Sequence, residues 1–583
     1  MDQCIEREDY ALFEILQDVT KDKYIMLNRQ PTLHRMGLLA FKINVNKDYV
    51  IRIHPLVCEP YNADFDGDQM AAYLPLYPNT QDECHRKLSV ESNLISPSTG
   101  DLVLGINQDM VLGLYLLTKP EPGKECEVDG IKTYEGRVRF NDLLPDDFPF
   151  VNRTISKREL KAVMNVITKR YPYDQVKVLL DRIKEFGFRE TTIRGTTLSL
   201  KNMDFPESYA AVSEICDNTS TTVREKFFKL ENHEMKADIK NRFPYYDFIE
   251  SGSRGSWDQA NQLIYSRGFV SNFEGKVIEQ PIKNNLINGL TRQEYFTSSY
   301  GSRKALLDVA LNTGVSGYLT RKLVYCCVNL EIDDSIEDCG TEEGLVIQIP
   351  AEKTYDLDNV KLAKSLLNRW VRYNREEEYF LVTHENCRDL IGKELLVRSP
   401  IFCTNTKLCK KCYGTLVEDL HSKYVGIIAA QAAGEVATQL TLRTFHLGGI
   451  AKMAEEGEGD GQQDIINDLA AVKKMLHANT KHSYNNLILE LFKIYSNHRL
   501  LLLVHFECIV AQMMRAEDGG RWRLGEDRKL SEVDMVSIEN VPSKESFLLA
   551  LAFAKPYVYL VSGILGSSVT TDGVLEKIML NKI

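Results

Sequence analysis

The sequence predicts an α+β chain of several domains. Its 583 residues exceed what one hydrophobic core usually organises. Between Tyr24 and about Pro78, short alternating apolar segments broken by Asn, Pro and Gly read as strands and tight loops. From Thr291 to Val328 runs a long helical pattern, which at about 1.5 Å per residue would span on the order of 50 Å. Hydrophobic content of 44% and charged content of 26% are ordinary for globular protein. No uninterrupted apolar run reaches the roughly 18 residues of a membrane-crossing helix, so a membrane fate is not expected. The net charge of −11 argues against a free-standing, non-specific nucleic-acid binder. It leaves room for a local basic channel beneath an acidic outer surface. Thirteen cysteines in so long a chain do not make a disulfide framework, and their clustering points to metal.

The chemistry is most legible in Tyr61-Asn62-Ala63-Asp64-Phe65-Asp66-Gly67-Asp68-Gln69-Met70. Asp64, Asp66 and Asp68 stand at alternate positions, with Gly67 between the second and third. Such a set makes an oxygen-rich trap for a hard cation. Mg²⁺ suits it, because Mg²⁺ takes few protein carboxylates and keeps positions open for water and substrate phosphates. A lone Asp-x-Asp-x-Asp also occurs on ordinary solvated loops. A calcium loop of the EF-hand type fails, since its required Gly and Glu positions hold Gln69 and Pro75.

The flanks decide between these readings. Asn28-Arg29-Gln30-Pro31-Thr32-Leu33-His34-Arg35, then His54-Pro55-Leu56-Val57-Cys58, then Asn62 to Met70, resemble the catalytic region of the largest subunit of multisubunit DNA-directed RNA polymerases, in its bacterial beta-prime form. The resemblance implies Mg²⁺-dependent nucleotidyl transfer. Asp64, Asp66 and Asp68 would hold one Mg²⁺, and a second would arrive with the NTP. By the same resemblance Arg29 and Asn62 sense the ribose hydroxyls, the 2′-OH separating RNA from DNA precursors.

Residues 1–24 read as an amphipathic helix, with Ile5, Leu12, Leu16 and Val19 spaced for one face. In the family such a helix lies in mid-subunit, so only part of a double-psi beta-barrel is expected within residues 1–120. A separate N-terminal beta-prime fragment is expected to cover its open strand edges. Residues 79–120 continue the family pattern into helix, and residues 121–180 match nothing strongly. The region 121–250 is expected to form the pore and secondary-channel rim. Its helical stretch at 207–240 is short for the bacterial rim coiled coil.

The region 251–335 opens on Ser251-Gly252-Ser253-Arg254-Gly255-Ser256, a small-residue loop presenting an arginine to phosphate. By resemblance, Arg254 and Gln259 face the triphosphate of the incoming nucleotide. The long helix that follows resembles the family's bridge helix, with Arg303, Lys304, Ala310 and Thr313 at its functional positions. Its basic residues outnumber its acidic ones, which fits a nucleic-acid backbone nearby. Gly301, Gly314 and Gly317 each weaken it by up to about 1 kcal/mol relative to alanine. Val309 departs from the bacterial pattern, which has threonine there.

The region 336–420 carries Cys339 and then Cys403, Cys409 and Cys412, a good tetrahedral zinc set. Four thiolates leave no open position, so the role is structural. Such binding contributes on the order of 10 kcal/mol to folding a module. Cys326, Cys327 and Cys387 are expected to be buried spares. Residues 421–462 resemble the trigger loop, read as two helical pieces, Gly426 to Gln431 and Thr438 to Leu447, stopped by Gly448-Gly449. There Leu442, Arg443 and His446 would close over the nucleotide, Arg443 on the phosphates and His446 on the leaving pyrophosphate. Val436 replaces the usual proline. Residues 463–583 resemble the family's helical C-terminal clamp-base and docking region.

The expectation is therefore the catalytic fragment of a DNA-dependent RNA polymerase, active only when assembled. Its expected partners are the beta subunit or its fragments, a promoter-specificity factor, DNA template, RNA product and NTPs. Its expected cofactors are two Mg²⁺ and one structural Zn²⁺. The start point within the family pattern suggests a split subunit from a large bacteriophage, working in the infected bacterium's cytoplasm or packaged in the virion. Two rivals are a non-catalytic assembly subunit and an RNA-templated polymerase. The full set of aspartates with Arg443 and His446 opposes the first, and the bacterial-style bridge helix, zinc knuckle and trigger loop oppose the second.

Overall fold

The computed structural model describes residues 10–46, 48–128, 130–199, 245–272, 278–350, 357–420, 422–447, 465–477, 483–515, 534–535 and 537–538. The chain begins with helix α1 (Tyr10–Thr20). Of the apolar face expected for it, Leu16 and Val19 are exposed and so not packed into the chain's own core, and the side chain of Leu12 lies outside the described residues. Ile5 lies outside the described residues.

The strands expected after Tyr24 are β1 (Tyr24–Asn28), β2 (Leu38–Lys42) and β3 (Ala71–Tyr73). They form an antiparallel sheet in the order β2-β1-β3. Tyr61 pins it from below: its hydroxyl donates to the Leu27 carbonyl at 2.8 Å and accepts from the Leu39 amide at 3.1 Å. Leu27, Met36, Leu39, Val57 and Tyr61 make the small core beneath.

The stretch 121–180, which matches nothing strongly in sequence, carries helices that pack on the helix before it. Helix α2 (Asp109–Thr118) is buried along nearly its whole length and packs against α4 (Tyr173–Arg194), with α3 (Lys157–Arg170) completing the group. Their core runs from Leu56 to Ile183 and joins the aspartate-loop region to these helices. The predicted rim helices at 207–240 lie outside the described residues.

Helix α5 (Trp257–Ile264) is capped by Ser256, whose hydroxyl accepts from the Gln259 amide. The long helix is α6 (Arg292–Cys327), 36 residues without a break. Its start is fixed by a capping box: Thr291 Oγ1 accepts from the Glu294 amide, and Glu294 Oε2 accepts from the Thr291 amide at 2.9 Å.

Beyond α6 come β4 (Leu345–Gln348), β5 (Trp370–Arg372), β6 (Phe380–Leu381) and β7 (Glu394–Val397). They build an antiparallel sheet in the order β4-β7-β5-β6. Cys326, Cys327 and Cys387 are buried, as expected of spares.

Helix α7 (Val425–Leu447) differs from expectation, being one continuous helix rather than two pieces. No proline stands between Val425 and Leu447 to remove a backbone donor. Gly434 does not break it either, because that glycine is where α7 meets α6. A Cβ built there would lie 2.2 Å from Thr320 Oγ1. Helices α8 (Ile465–His477), α9 (Tyr484–Ser496) and α10 (Leu503–Met513) close the largest core. That core holds the C-terminal half of α6, the four-stranded sheet, α7 and α10 together. Gly448-Gly449 and the connector at 455–461 lie outside the described residues. Among the described residues, no helix is long and apolar enough to cross a membrane.

Candidate active site and metal centre

The aspartate loop leaves a short helix, Cys58–Tyr61, through Asn62, which adopts a left-handed conformation (φ 49°) and ends the helix. Asparagine tolerates that region better than most residues. Gly67, at φ 122°, makes the second turn, a conformation nearly closed to other residues. Between these two turns the chain doubles back. Carboxylate oxygens of Asp64, Asp66 and Asp68 come within 4.8 Å of one another, all on exposed residues. Asp68 Oδ2 also accepts from the Asp64 amide at 3.2 Å, closing the loop on itself.

Like charges so close resist full ionisation. The Asp64 carboxyl is raised above its usual range, first by sharing a hydrogen bond with Asp66 and further by the charges of Asp66 and Asp68. Asp68 is held below its range, chiefly by Arg29, whose Nε donates to Oδ2 at 2.7 Å. The result is a converged, oxygen-only, open set with one carboxylate anchored by a guanidinium. Such a donor set fits Mg²⁺, whose oxygen ligands sit at about 2.0–2.1 Å. Arg29 thus occupies a holding position on Asp68 and also donates to the Tyr61 carbonyl at 3.4 Å.

Beside the loop lies a cavity of about 820 Å³, lined by His34, Asn62, Asp64, Glu435, Gln439 and Arg499 among others. It brings the aspartate loop and α7 to one space. Glu435 is buried and paired with Arg499 at 2.8 and 3.1 Å. Burial raises its carboxyl, and Arg499 opposes that rise. Burial, with Arg499 nearby, lowers His34 to about 4, so it is neutral at ordinary pH.

The other predicted site residues are placed less centrally. Arg254 and Gln259 are exposed, and neither lines this cavity. On α6, Arg303 and Ala310 are exposed and Lys304 is half-buried. Thr313 turns its hydroxyl back to the Val309 carbonyl at 2.8 Å. The side chains of Leu442, Arg443 and His446 lie outside the described residues, although the backbone there continues α7.

The four predicted cysteines converge. Sγ atoms of Cys339, Cys403, Cys409 and Cys412 lie within 4.8 Å of one another, and Cys339 and Cys412 are 3.6 Å apart. A tetrahedral zinc with bonds of about 2.3 Å needs sulfur pairs about 3.8 Å apart, so the set fits Zn²⁺. Three of the four are buried, and the four sulfurs together would fill a tetrahedral zinc's coordination.

Two family profiles match the chain: RNA polymerase Rpb1, domain 2, over residues 2–90, and RNA polymerase Rpb1, domain 5, over residues 289–501. The first contains the aspartate loop, and the second contains α6, the four cysteines and α7. Whole-chain comparison agrees. The chain is 33% identical over 566 residues to the DNA-directed RNA polymerase subunit beta' of Caldicellulosiruptor saccharolyticus, covering 82% of this chain and 47% of that protein. The chain is a homologue of the RNA polymerase beta-prime subunit. The subunits of Fusobacterium nucleatum and Dehalococcoides mccartyi are 32% and 33% identical, with 79% and 82% of this chain covered. This beta-prime homologue spans less than half the length of these relatives, 40–47%.

Sequence reasoning missed Glu435 and Arg499 in this beta-prime homologue. Glu435 had a visible signal, as the lone acid between Ile427 and Ala437. Arg499 stands in unremarkable local sequence, and its partner is 64 residues away along the chain.

Proposed function

We propose that this chain is the catalytic part of a DNA-dependent RNA polymerase that extends RNA from NTPs when assembled with further subunits. The convergence of Asp64, Asp66 and Asp68 beside Arg29, in a homologue of beta-prime, carries the reading. Mg²⁺ held by these carboxylates, with a second ion brought by the NTP, would neutralise phosphate charge and favour attack by the RNA 3′ hydroxyl. Arg29 keeps Asp68 ionised and aimed into the loop. Gly67 and Asn62 provide the two turns that let three carboxylates share one point. Asn62 faces the cavity where the ribose of an incoming nucleotide would lie, Arg29 would sense the ribose from its place on Asp68, and Arg254 and Gln259 would approach the triphosphate from the exposed loop and the first turn of α5.

Helix α6 would serve as the bridge helix, with Arg303, Lys304, Ala310 and Thr313 toward nucleic acid. Helix α7 and the residues after it would be the trigger loop, with Leu442, Arg443 and His446 closing over the substrate and excluding water. Zinc on the four cysteines would be structural. The six-segment division given by the sequence belongs to the same reading.

The sheet β2-β1-β3 supports a shared barrel: β2 and β3 are its edges, and apolar residues near them, Tyr49, Val50, Ile51, Leu74, Leu76 and Tyr77, are exposed. Further strands would complete a double-psi barrel, supplied in our proposal by a separate beta-prime fragment. A large-bacteriophage source, and work in the infected host's cytoplasm or carriage in the virion, extend that proposal. The proteins that copurify with the chain test the division.

The central test is Asp66→Ala in the assembled complex. RNA extension in Mg²⁺ should be abolished, and unchanged extension would sink the assignment. Offering DNA and RNA templates in the same assay checks template class.

A further inference from the structure

Arg398 lies directly after β7, with its side chain almost wholly buried, and has no role in the chemistry above. One terminal nitrogen of its guanidinium faces two of the four sulfurs, at 3.4 Å from Cys339 Sγ and 3.5 Å from Cys412 Sγ. The same nitrogen pairs with the Asp338 carboxylate, and the other terminal nitrogen donates to the Thr341 carbonyl. These bonds fix the fork from both sides. The backbone is fixed as well: the Arg398 carbonyl accepts from Arg369, which forms a two-pronged buried ion pair with Glu507 of α10 at 2.7 and 2.8 Å. Ser399, the next residue, donates its hydroxyl to the same Glu507.

Four thiolates around a divalent cation carry a net charge of about −2, and burying that charge without compensation is costly. A buried guanidinium within hydrogen-bond reach of two sulfurs both offsets it and orients the sulfurs. Outer-sphere partners of this kind typically govern metal affinity by 10–100-fold.

We infer that Arg398 is the positioning residue of the four-cysteine centre: its guanidinium, braced by Asp338 and anchored through Arg369 to Glu507, holds Cys339 and Cys412 in the arrangement that retains zinc. The inference rests on the zinc reading of this centre, and the wild-type metal content reports separately on that reading.

The test uses the full-length chain loaded with Zn²⁺ and titrated with a chromogenic chelator, and the Co²⁺-loaded chain examined for sulfur-to-metal absorption. Arg398→Met should weaken zinc binding by about 10–100-fold and shift the cobalt bands. Asp338→Asn, which leaves the arginine but frees its fork, should give a smaller loss in the same direction. Arg372→Met is the control: this arginine is also buried in the module, but its hydrogen bonds go to the carbonyls of Arg375 and Glu342. It should leave both readouts unchanged. Wild-type zinc affinity and spectrum in Arg398→Met, or an equal loss in Arg372→Met, overturns the inference. If Arg398→Met does not fold, Asp338→Asn decides, and wild-type retention of zinc by that variant overturns it. A wild-type chain that takes up no zinc overturns the zinc reading itself.

Discussion

Replacing Gly434 by alanine puts two effects of opposite sign in direct competition. By propensity alone, alanine in mid-helix should stabilise α7 by about 1 kcal/mol. The structure predicts the reverse. The new Cβ would stand 2.2 Å from Thr320 Oγ1, 2.4 Å from its Cγ2 and 2.7 Å from its Cβ. A threonine side chain branches at its Cβ and has no flexible end to swing away, so α6 and α7 must separate. Overpacking of this kind costs about 1–3 kcal/mol, and more where backbone must move. The expected net effect of Gly434→Ala is a loss of about 1–2 kcal/mol at the α6–α7 contact. Thr320→Ala removes the two nearest atoms but keeps the Cβ at 2.7 Å, so the double variant should recover only part of that loss, with a coupling of about 1 kcal/mol. In so large a chain a single unfolding free energy is not well defined. Hydrogen exchange of peptides covering Ser316–Leu330 and Val425–Ala437 is therefore the assay. Gly434→Ala should speed exchange in both peptides, and adding Thr320→Ala should restore part of the protection. Protection at or above wild type in Gly434→Ala alone would refute the close-approach argument.

Two other perturbations have definite signs. Thr291→Ala removes the cap of α6 and half of the capping box, and should cost about 0.5–2 kcal/mol, read as faster exchange confined to the first turns of that helix. Acid should loosen the chain between about pH 6.5 and pH 4. Burial lowers both His34 and His505 from 6.5 to about 4, so the unfolded chain takes up protons first. Stability from these groups is complete above about pH 6.5 and is lost as pH falls through about 4. Each drop corresponds to about 3 kcal/mol at about 1.4 kcal/mol per pH unit. Urea midpoints measured across this range should fall with acid in wild type and less steeply in His505→Gln.

What could be read from sequence was what is local. Asp64, Asp66, Gly67 and Asp68 fall within one short stretch, and the motifs flanking it marked the three carboxylates as a site rather than a solvated loop. Thr291 and Glu294 carry the helix start three residues apart, and α6 spans almost the stretch its pattern predicted. The cysteine set was legible although Cys339 stands far from Cys412, because few residue types cluster so distinctively. What was missed depends on pairs without such marks. Arg369 meets Glu507 across 138 residues, and Arg499 meets Glu435 across 64. Neither arginine differs locally from a surface one. The continuity of α7 was misjudged for a related reason: nothing local in the sequence shows that Gly434 is where Thr320 of α6 approaches.

The two clusters proposed to hold metal show how surroundings separate chemistry from scaffolding. Both gather like-charged groups within 4.8 Å. The cysteines are mostly buried, fill a tetrahedron by themselves and have Arg398 against two sulfurs, so charge and coordination are both satisfied within the protein. The aspartates are exposed, supply fewer ligands than an octahedral cation needs, and have one guanidinium on one carboxylate. That leaves Asp64 raised and the loop short of positive charge. In the proposed reading, a site in that condition would draw in a cation and leave part of its coordination for water or phosphate oxygens. The same incompleteness that makes the loop a poor structural centre makes it the part of this chain suited to phosphoryl chemistry.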